Sequence, residues 1–241
     1  MRKCLMGMWV AACLLTGCVE QVVPVPDHPV SQLPPGWCYV DRVAPSVRVE
    51  LKYAGCDNFV GRPIAGYTGR RAILRRDAAE GLRRASDELK KKGYGLLIWD
   101  AYRPAGAMKD FRRWSRTPDN RMQSRFYPRI SKRGIYDGKY IGDMSEHSWG
   151  IAVDITLVHL RTGKEVDMGG HHDLLDPSSA TDSPLVTPTQ RRHRHILREA
   201  MEKGGFRNYS KEWWHYFLKD SQPWFMYGFP LDDHLPESPS R

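Results

Sequence analysis

Two short stretches of this chain carry side chains that could do chemistry together. Ser145-Glu-His-Ser-Trp-Gly-Ile-Ala-Val-Asp154 supplies a histidine and, seven residues on, an aspartate. Glu212-Trp-Trp-His215 supplies a second histidine behind a glutamate. His147, Asp154 and His215 are three ligands of the kind a catalytic Zn2+ takes, with a fourth position left for water. Glu212 is then a spare carboxylate able to move protons. The set points to metal-assisted hydrolysis. A domain that only binds or scaffolds has no physical need for a glutamate beside an open metal position.

Each stretch also has a plainer reading. Asp154 falls inside Ile151–Val158, a β-branched run that reads as a buried strand. An unpaired carboxylate there is costly and wants a cation or a metal. His147 lies just before the strand, and Gly150 lets the chain turn so that the two side chains converge. On its own this pair is a weak motif, because a lone histidine is more often structural. Trp213, Trp214, Tyr216 and Phe217 would equally suit an aromatic core strand. Glu212 precedes His215 by three residues, so an ideal strand would place them on opposite faces. Glu212 is therefore expected at the start of the strand or on a bend. A third segment, Trp99-Asp-Ala-Tyr-Arg103-Pro, puts a guanidinium at the end of a buried strand. Arg103 there holds a developing oxyanion or a carboxylate, or simply pairs with Asp100.

The elements that must position these groups follow from periodicity. Asp77–Lys92 has Ala78, Leu82, Ala85 and Leu89 at helical spacing, with Asp77 as a candidate N-cap and Gly93 as terminator. Gly95–Asp100 is a strand, and Pro104 can open a helix to about Trp114. Residues 159–190 are rich in Gly, Pro, Asp, Ser and Thr and read as loop. Gln190–Lys203 is a third helix closed by Gly204-Gly205, and Phe206–Leu218 carries a turn and then an aromatic strand. Helices and strands mix without a regular βαβ repeat, which favours α+β.

The N-terminus belongs to a different category. Arg2 and Lys3 precede a mostly apolar Leu5–Leu15, followed by Leu15-Thr-Gly-Cys18. This resembles a bacterial lipoprotein signal with its lipobox. The resemblance implies cleavage before Cys18 and diacylglycerol on its sulfur; an ordinary secretory signal is the alternative. Val19–Pro35 holds five prolines and reads as a semi-extended tether. The expected organisation is a signal peptide over 1–17, a lipidated Cys18 with its tether over 18–35, and a catalytic domain over 36–241. Export to an oxidising compartment makes a Cys38–Cys56 disulfide plausible, with two separate buried thiols as the alternative. The formal net charge is +9. Its basic residues are scattered through stretches such as Arg70–Lys92 and Arg191–Arg198 and are not interleaved with stacking aromatics, so no nucleic-acid partner is expected.

Ser-x-His-x-x-Gly-x-Ala-x-Asp, Glu-Trp-Trp-His-Tyr and Trp-Asp-x-Tyr-Arg-Pro resemble the zinc D-alanyl-D-alanine dipeptidases. Leu51-Lys-Tyr-Ala-Gly-Cys-Asp-Asn-Phe59, Gly93-Tyr-Gly-Leu-Leu97 and Val166-Asp-Met-Gly169 with Asp173 extend the likeness, which covers roughly Pro45 to Phe229. The resemblance implies a single compact α+β domain with a small, mainly antiparallel sheet and flanking helices. It implies one Zn2+ on His147, Asp154 and His215. It makes Glu212 the general base and then the acid, and Arg103 the stabiliser of the tetrahedral intermediate. Ser145, Tyr53 and Asp173 would hold the substrate, the last two near its free ammonium. The activity implied is hydrolysis of D-Ala-D-Ala at the cell envelope, with the protein anchored to a membrane through Cys18 and the outer membrane favoured by a non-acidic Val19. A D,D-carboxypeptidase or peptidoglycan endopeptidase acting on wall peptides is the alternative. Two departures stand out. Cys56 follows Ala54-Gly55 where other residues are common. His171-His172 precede Asp173 where the family tends to carry an aromatic. These histidines are expected on a solvent-facing loop, the other reading being a second metal.

Overall fold

The computed structural model describes residues 30–137, 140–141, 145–219, 221 and 227–238. The expected signal peptide, Cys18 and most of the tether lie outside the described residues. Leu33 is already fully buried, and its N–H donates to the Pro236 carbonyl at 2.8 Å.

In chain order the elements are β1 (Trp37–Tyr39), α1 (Val40–Val43), β2 (Arg48–Val49), β3 (Ile73–Arg75), α2 (Arg76–Lys90), β4 (Tyr94–Asp100), α3 (Ala105–Ser115), α4 (Gln123–Phe126), α5 (Lys132–Asp137), β5 (Ala152–His159), α6 (Pro188–Lys203), β6 (Phe206–Asn208) and β7 (His215–Leu218). The main sheet has five strands in the order β2-β4-β5-β7-β6. Only β2–β4 is parallel, and β1 and β3 form a separate antiparallel pair. The α+β architecture with a mainly antiparallel sheet is as the sequence implied.

β4 and β5 are apolar on both faces because both faces are covered. Leu96, Ile98, Val153, Ile155 and Leu157 on one face and Leu97, Ala152 and Val158 on the other are all buried. Helices α2 and α6 pack together against the sheet. They cross where neither carries a side chain: a Cβ on Gly81 would sit 2.7 Å from the Gly204 carbonyl, and one on Gly204 would sit 2.6 Å from that of Gly81. Any larger residue would push the two backbones apart.

Helix α2 begins at Arg76 directly from β3, and its N-cap residue Arg75 makes no side-chain cap. Asp77 therefore sits in the first turn instead of capping it, a place where its charge still favours the helix dipole. Gly93 ends this unit with φ +81°. Helix α6 starts two residues before the expected Gln190, because Thr187 and Gln190 form a reciprocal capping box around Pro188. Of the expected loop over 159–190, His159 closes β5 and 188–190 open α6; the rest is loop apart from one 3₁₀ turn, Pro177–Ser179. Arg194, fully buried on α6, pins that loop through the carbonyls of Met168 (2.7 Å), Ser178 (2.9 Å) and Ala180 (2.8 Å). Burial, with Arg191 nearby, pulls the pKa of its guanidinium down to about 10, with Asp167 opposing.

Candidate active site

Sheet register lines up three of the site's side chains. Asp154 on β5 pairs with Asp100 on β4 to one side and with His215 on β7 to the other. Cross-strand partners share a face, so the three project together. The register shifts between Ile98 and Asp100, which marks an irregularity at the end of β4 and re-aims Asp100 into this row. His147 arrives from the segment ahead of β5. Ser145 caps a 3₁₀ turn, Glu146–Trp149, by accepting the His147 N–H at 3.3 Å. The turn ends at Gly150 with φ +70°, as the sequence required for the chain to double back. A Cβ at Gly150 would lie 2.3 Å from the Trp37 ring, so glycine is needed there twice over.

The orientation of His147 is set from behind. Its Nδ1 meets the Ala101 carbonyl at 2.7 Å, which makes Nδ1 the protonated nitrogen and leaves the Nε2 lone pair facing the site. That Nε2 lies 3.2 Å from His215 Nδ1 and 3.3 Å from Asp154 Oδ1, and His215 Nδ1 lies 3.0 Å from the same oxygen. A tetrahedral zinc with bonds near 2.0–2.1 Å holds neighbouring ligand atoms about 3.3 Å apart. The triangle is therefore of the size such an ion needs, and its donor chemistry of nitrogen, nitrogen and carboxylate oxygen suits it. Burial alone would raise the Asp154 carboxyl, but the imidazoles of His147, His172 and His215 outweigh it and hold the group well below the usual carboxylate range. Asp154 is thus an anion in an interior that calls for positive charge.

Glu212 sits in the turn before β7: its N–H donates to the Tyr209 carbonyl at 3.0 Å and its own carbonyl accepts from His215 N at 3.2 Å. The bend expected from the three-residue offset is there. Burial pushes the Glu212 carboxyl up to about 8, with His215 opposing. A carboxyl titrating near neutrality is matched to proton transfer. Arg103 makes the ion pair with Asp100 that was its plainer reading, and it also lines the site. Its Nε donates to Asp100 Oδ2 at 3.0 Å, and Nη2 lies 2.9 Å from the same oxygen and 3.5 Å from Asp154 Oδ2. Burial works against its charge, but Tyr53, Asp100 and Asp154 around it keep it firmly protonated.

A cavity of about 230 Å³ opens over these groups, lined by Arg103, Ser145, His147, Asp154, Glu212 and His215, with Met108, Tyr140 and Phe217 on its walls. Six of the eight expected site residues meet in it. Tyr53 and Asp173 meet each other instead: the Tyr53 hydroxyl donates to Asp173 Oδ2 at 2.7 Å, and both are buried beyond the lining residues.

Three expectations from sequence need revision. His172 is not solvent-facing: it is 2% exposed, with Nε2 placed 3.3 Å from both Asp154 Oδ2 and Asp173 Oδ1. The chain folds back there so that its ring packs between Trp99 and Tyr53. Only His171 stays near the surface, bonded to the Arg125 and His172 carbonyls. Cys38 and Cys56 are both free, the first buried and the second exposed, so they are neither a disulfide nor two buried thiols. Asp100 is more than a partner for Arg103, since it also accepts the Tyr67 hydroxyl at 2.6 Å and faces His147 Nδ1 at 3.4 Å. Its signal in the sequence was a charge closing an otherwise apolar strand.

Comparison with known proteins identifies the family. The family model described as D-ala-D-ala dipeptidase (peptidase M15) matches residues 35–240. The D-alanyl-D-alanine dipeptidase of Streptomyces coelicolor is 41% identical over 197 residues, covering 81% of this chain and 98% of the relative. That of Enterococcus faecium is 37% identical over 198 residues, covering 81% and 98%. That of Enterococcus faecalis is 39% identical over 186 residues, covering 77% and 92%. A match across nearly the whole folded unit, on a chain whose buried histidines and aspartate converge beside a glutamate, makes this chain a metallopeptidase of the D-ala-D-ala dipeptidase family.

Proposed function

We propose that this chain hydrolyses D-Ala-D-Ala to two D-alanines with one Zn2+ held by His147, Asp154 and His215. The observation that carries the reading is the convergence of those three ligand atoms at 3.0–3.3 Å beside Glu212 and Arg103. Zinc, when bound, polarises a carbonyl and brings the pKa of water from 15.7 to about 7.

The chain's own residues do the rest. The Glu212 carboxylate accepts a proton from the attacking water and delivers it to the leaving amine, a role suited to its raised pKa. The Arg103 guanidinium, clamped by Asp100, offers fixed positive charge to the carbonyl oxygen as it becomes negative. Ser145 Oγ accepts from the His147 N–H, so its hydroxyl proton can be donated to substrate. Asp173, steadied by Tyr53, adds negative charge next to the site, which favours a free ammonium and disfavours an acylated amine.

The same reading places the protein outside the cytoplasm, anchored through diacylglycerol on Cys18 and most simply on an outer membrane. Its support is Leu15-Thr-Gly-Cys18 behind an apolar run, with a non-acidic Val19 after it. Metabolic labelling with a radioactive fatty acid tests this; label retained in Cys18→Ala would refute it.

The catalytic reading is tested by comparing D-Ala-D-Ala, L-Ala-L-Ala and N-acetyl-D-Ala-D-Ala as substrates of the zinc-loaded protein. The free D,D-dipeptide should be cleaved fastest by far, and Glu212→Gln should lower kcat by about 10²–10⁴. Preference for the N-acetylated peptide would make the chain a carboxypeptidase-like enzyme instead. Unchanged turnover in Glu212→Gln would overturn the role of the glutamate.

A further inference from the structure

We infer that His172 is a positioning residue that ties the metal-binding carboxylate of Asp154 to the substrate-side carboxylate of Asp173. The inference rests on the zinc site proposed above and assigns a role to a side chain that site does not otherwise use.

A carboxylate ligand has two oxygens, and what holds one decides where the other points. Asp154 Oδ1 faces both ligand imidazoles, at 3.0 Å and 3.3 Å. Its Oδ2 faces His172 Nε2 at 3.3 Å and Arg103 Nη2 at 3.5 Å. The same His172 nitrogen lies 3.3 Å from Asp173 Oδ1. The N–H on that nitrogen hydrogen-bonds Asp154 Oδ2, and Asp173 Oδ1 lies beside it at ion-pair distance. His172 Nδ1 is buried without a partner, so the proton belongs on Nε2, where Asp154 Oδ2 accepts it. The ring is held by neighbours at 5.4 Å (Trp99), 5.5 Å (Tyr53) and 6.3 Å (Trp214) between centroids.

The other end of the link is strained. Among the described residues Asp173 is the one non-glycine with positive φ, at +56°. Such a conformation persists where surrounding contacts over-determine it. Here the Tyr53 hydroxyl donates to Oδ2 at 2.7 Å and the His172 ring nitrogen lies 3.3 Å from Oδ1. Removing His172 takes the hydrogen bond from Asp154 Oδ2 and the ring from beside Asp173 Oδ1 at once, and should loosen both metal binding and substrate alignment.

The same atoms could be read as a second metal site, since Asp154, His172 and Asp173 offer ligand atoms within 4.8 Å of one another. The Arg103 guanidinium speaks against it, because a second dication on Asp154 Oδ2 would sit beside a fixed positive charge 3.5 Å from that oxygen. Tyr53 also occupies the remaining oxygen of Asp173.

The experiment is a zinc titration of metal-free wild type, His172→Phe, His172→Met and His172→Gln against a chromophoric chelator. It is accompanied by apo-protein melting temperatures, and by kcat and KM for D-Ala-D-Ala at saturating zinc. Phe and Met remove the donor; Gln places an amide nitrogen the same number of bonds from Cβ as His Nε2. Wild type should bind one zinc. The apolar variants should bind it about 10–100-fold more weakly, with KM rising more than kcat falls, and Gln should recover most of both. The apolar variant whose apo form melts closer to wild type carries the comparison. Wild-type affinity and KM in that variant would overturn the inference, as would a Gln variant no better than Phe or Met. Two zincs per wild-type chain falling to one in His172→Phe would replace it with a second metal site. Failure of wild type to bind zinc would instead overturn the site reading beneath it.

Discussion

Asp100→Asn probes whether the guanidinium of Arg103 is set by its partner or sets itself. Asp100 is fully buried and takes three donors: Tyr67 Oη at 2.6 Å, Arg103 Nε at 3.0 Å and Arg103 Nη2 at 2.9 Å. Asparagine keeps the volume and one acceptor oxygen, but turns an N–H₂ toward donors it cannot satisfy. Breaking a buried pair by removing one partner costs about 3–5 kcal/mol, and the retained oxygen puts this change near the low end, about 3 kcal/mol. For a domain of this size that is a fall of about 6–12 °C in melting temperature. The freed guanidinium then has Asp154 Oδ2, 3.5 Å away, as its nearest remaining carboxylate partner. On the proposed role of Arg103 its charge then leaves the carbonyl oxygen of the substrate, so kcat should fall by up to about 10²–10³, the usual effect of losing one such donor. Scanning calorimetry and steady-state kinetics on Asp100→Asn, Arg103→Met and the double variant give the answer. If Asp100 acts through Arg103, the double variant loses no more activity than Arg103→Met alone. Additive losses in kcat, or an unchanged melting temperature in Asp100→Asn, would refute the reasoning.

Further outcomes follow from other parts of the structure. Gly150→Ala forces a left-handed residue and a Cβ 2.3 Å from the Trp37 ring, so urea denaturation should show a loss of about 2–5 kcal/mol, and an unchanged midpoint would disprove the tight turn. Asp110 is held below the usual carboxylate range by hydrogen bonds from Arg62, against burial that would raise it. A depressed folded pKa stabilises above the unfolded value and is lost as pH falls through the folded one. The deficit of Asp110→Asn, about 1 kcal/mol given an Arg62 side chain that is 42% exposed, should therefore be full at pH 7 and fade below about pH 4 in urea titrations. The two thiols should behave independently: Cys56 should react with a thiol reagent in the native protein and Cys38, whose pKa burial pushes up to about 11, only on unfolding. A melting temperature that drops on adding reductant would contradict two free thiols.

What the sequence made legible was chemistry held by residue type and period. His147, Asp154 and His215 announced themselves as ligand types on or beside apolar strands, and the offset from Glu212 to His215 required the bend that the turn after Tyr209 provides. Arg103 was legible as a charge at a strand end. The capping box of Thr187 and Gln190 went unread, and it moves the start of α6 from the expected Gln190 to Pro188. Other features were not local. The polar composition of residues 159–190 suggests a surface loop, yet Arg194 draws that loop onto the domain and buries His172 between Trp99 and Tyr53. The start of α2 is set by β3 running straight into it, against the cap propensity of Asp77. The separation of Cys38 and Cys56 is a distance, and spacing along a chain does not contain distances.

The site and the core share one determinant, the register of β4, β5 and β7. Asp100, Asp154 and His215 form a cross-strand row because Asp154 pairs with both of the others. In a sheet a one-residue slip turns every side chain to the opposite face. A slip of β7 against β5 would carry His215 away from Asp154 and, in the same movement, turn Tyr216, now fully buried, out of the core. Burial of the aromatic strand thus protects the ligand geometry, and the ligand geometry needs no separate folding device. The groups that register alone cannot fix are the ones with dedicated contacts: the Ala101 carbonyl on His147, Asp100 on Arg103, and His172 on Asp154. Catalytic competence should accordingly be lost in two distinguishable ways. Core substitutions that loosen β7 should cost stability and metal binding together. Substitutions at His172 should cost metal affinity or turnover out of proportion to any change in melting temperature, whereas at Asp100 buried charge makes both fall.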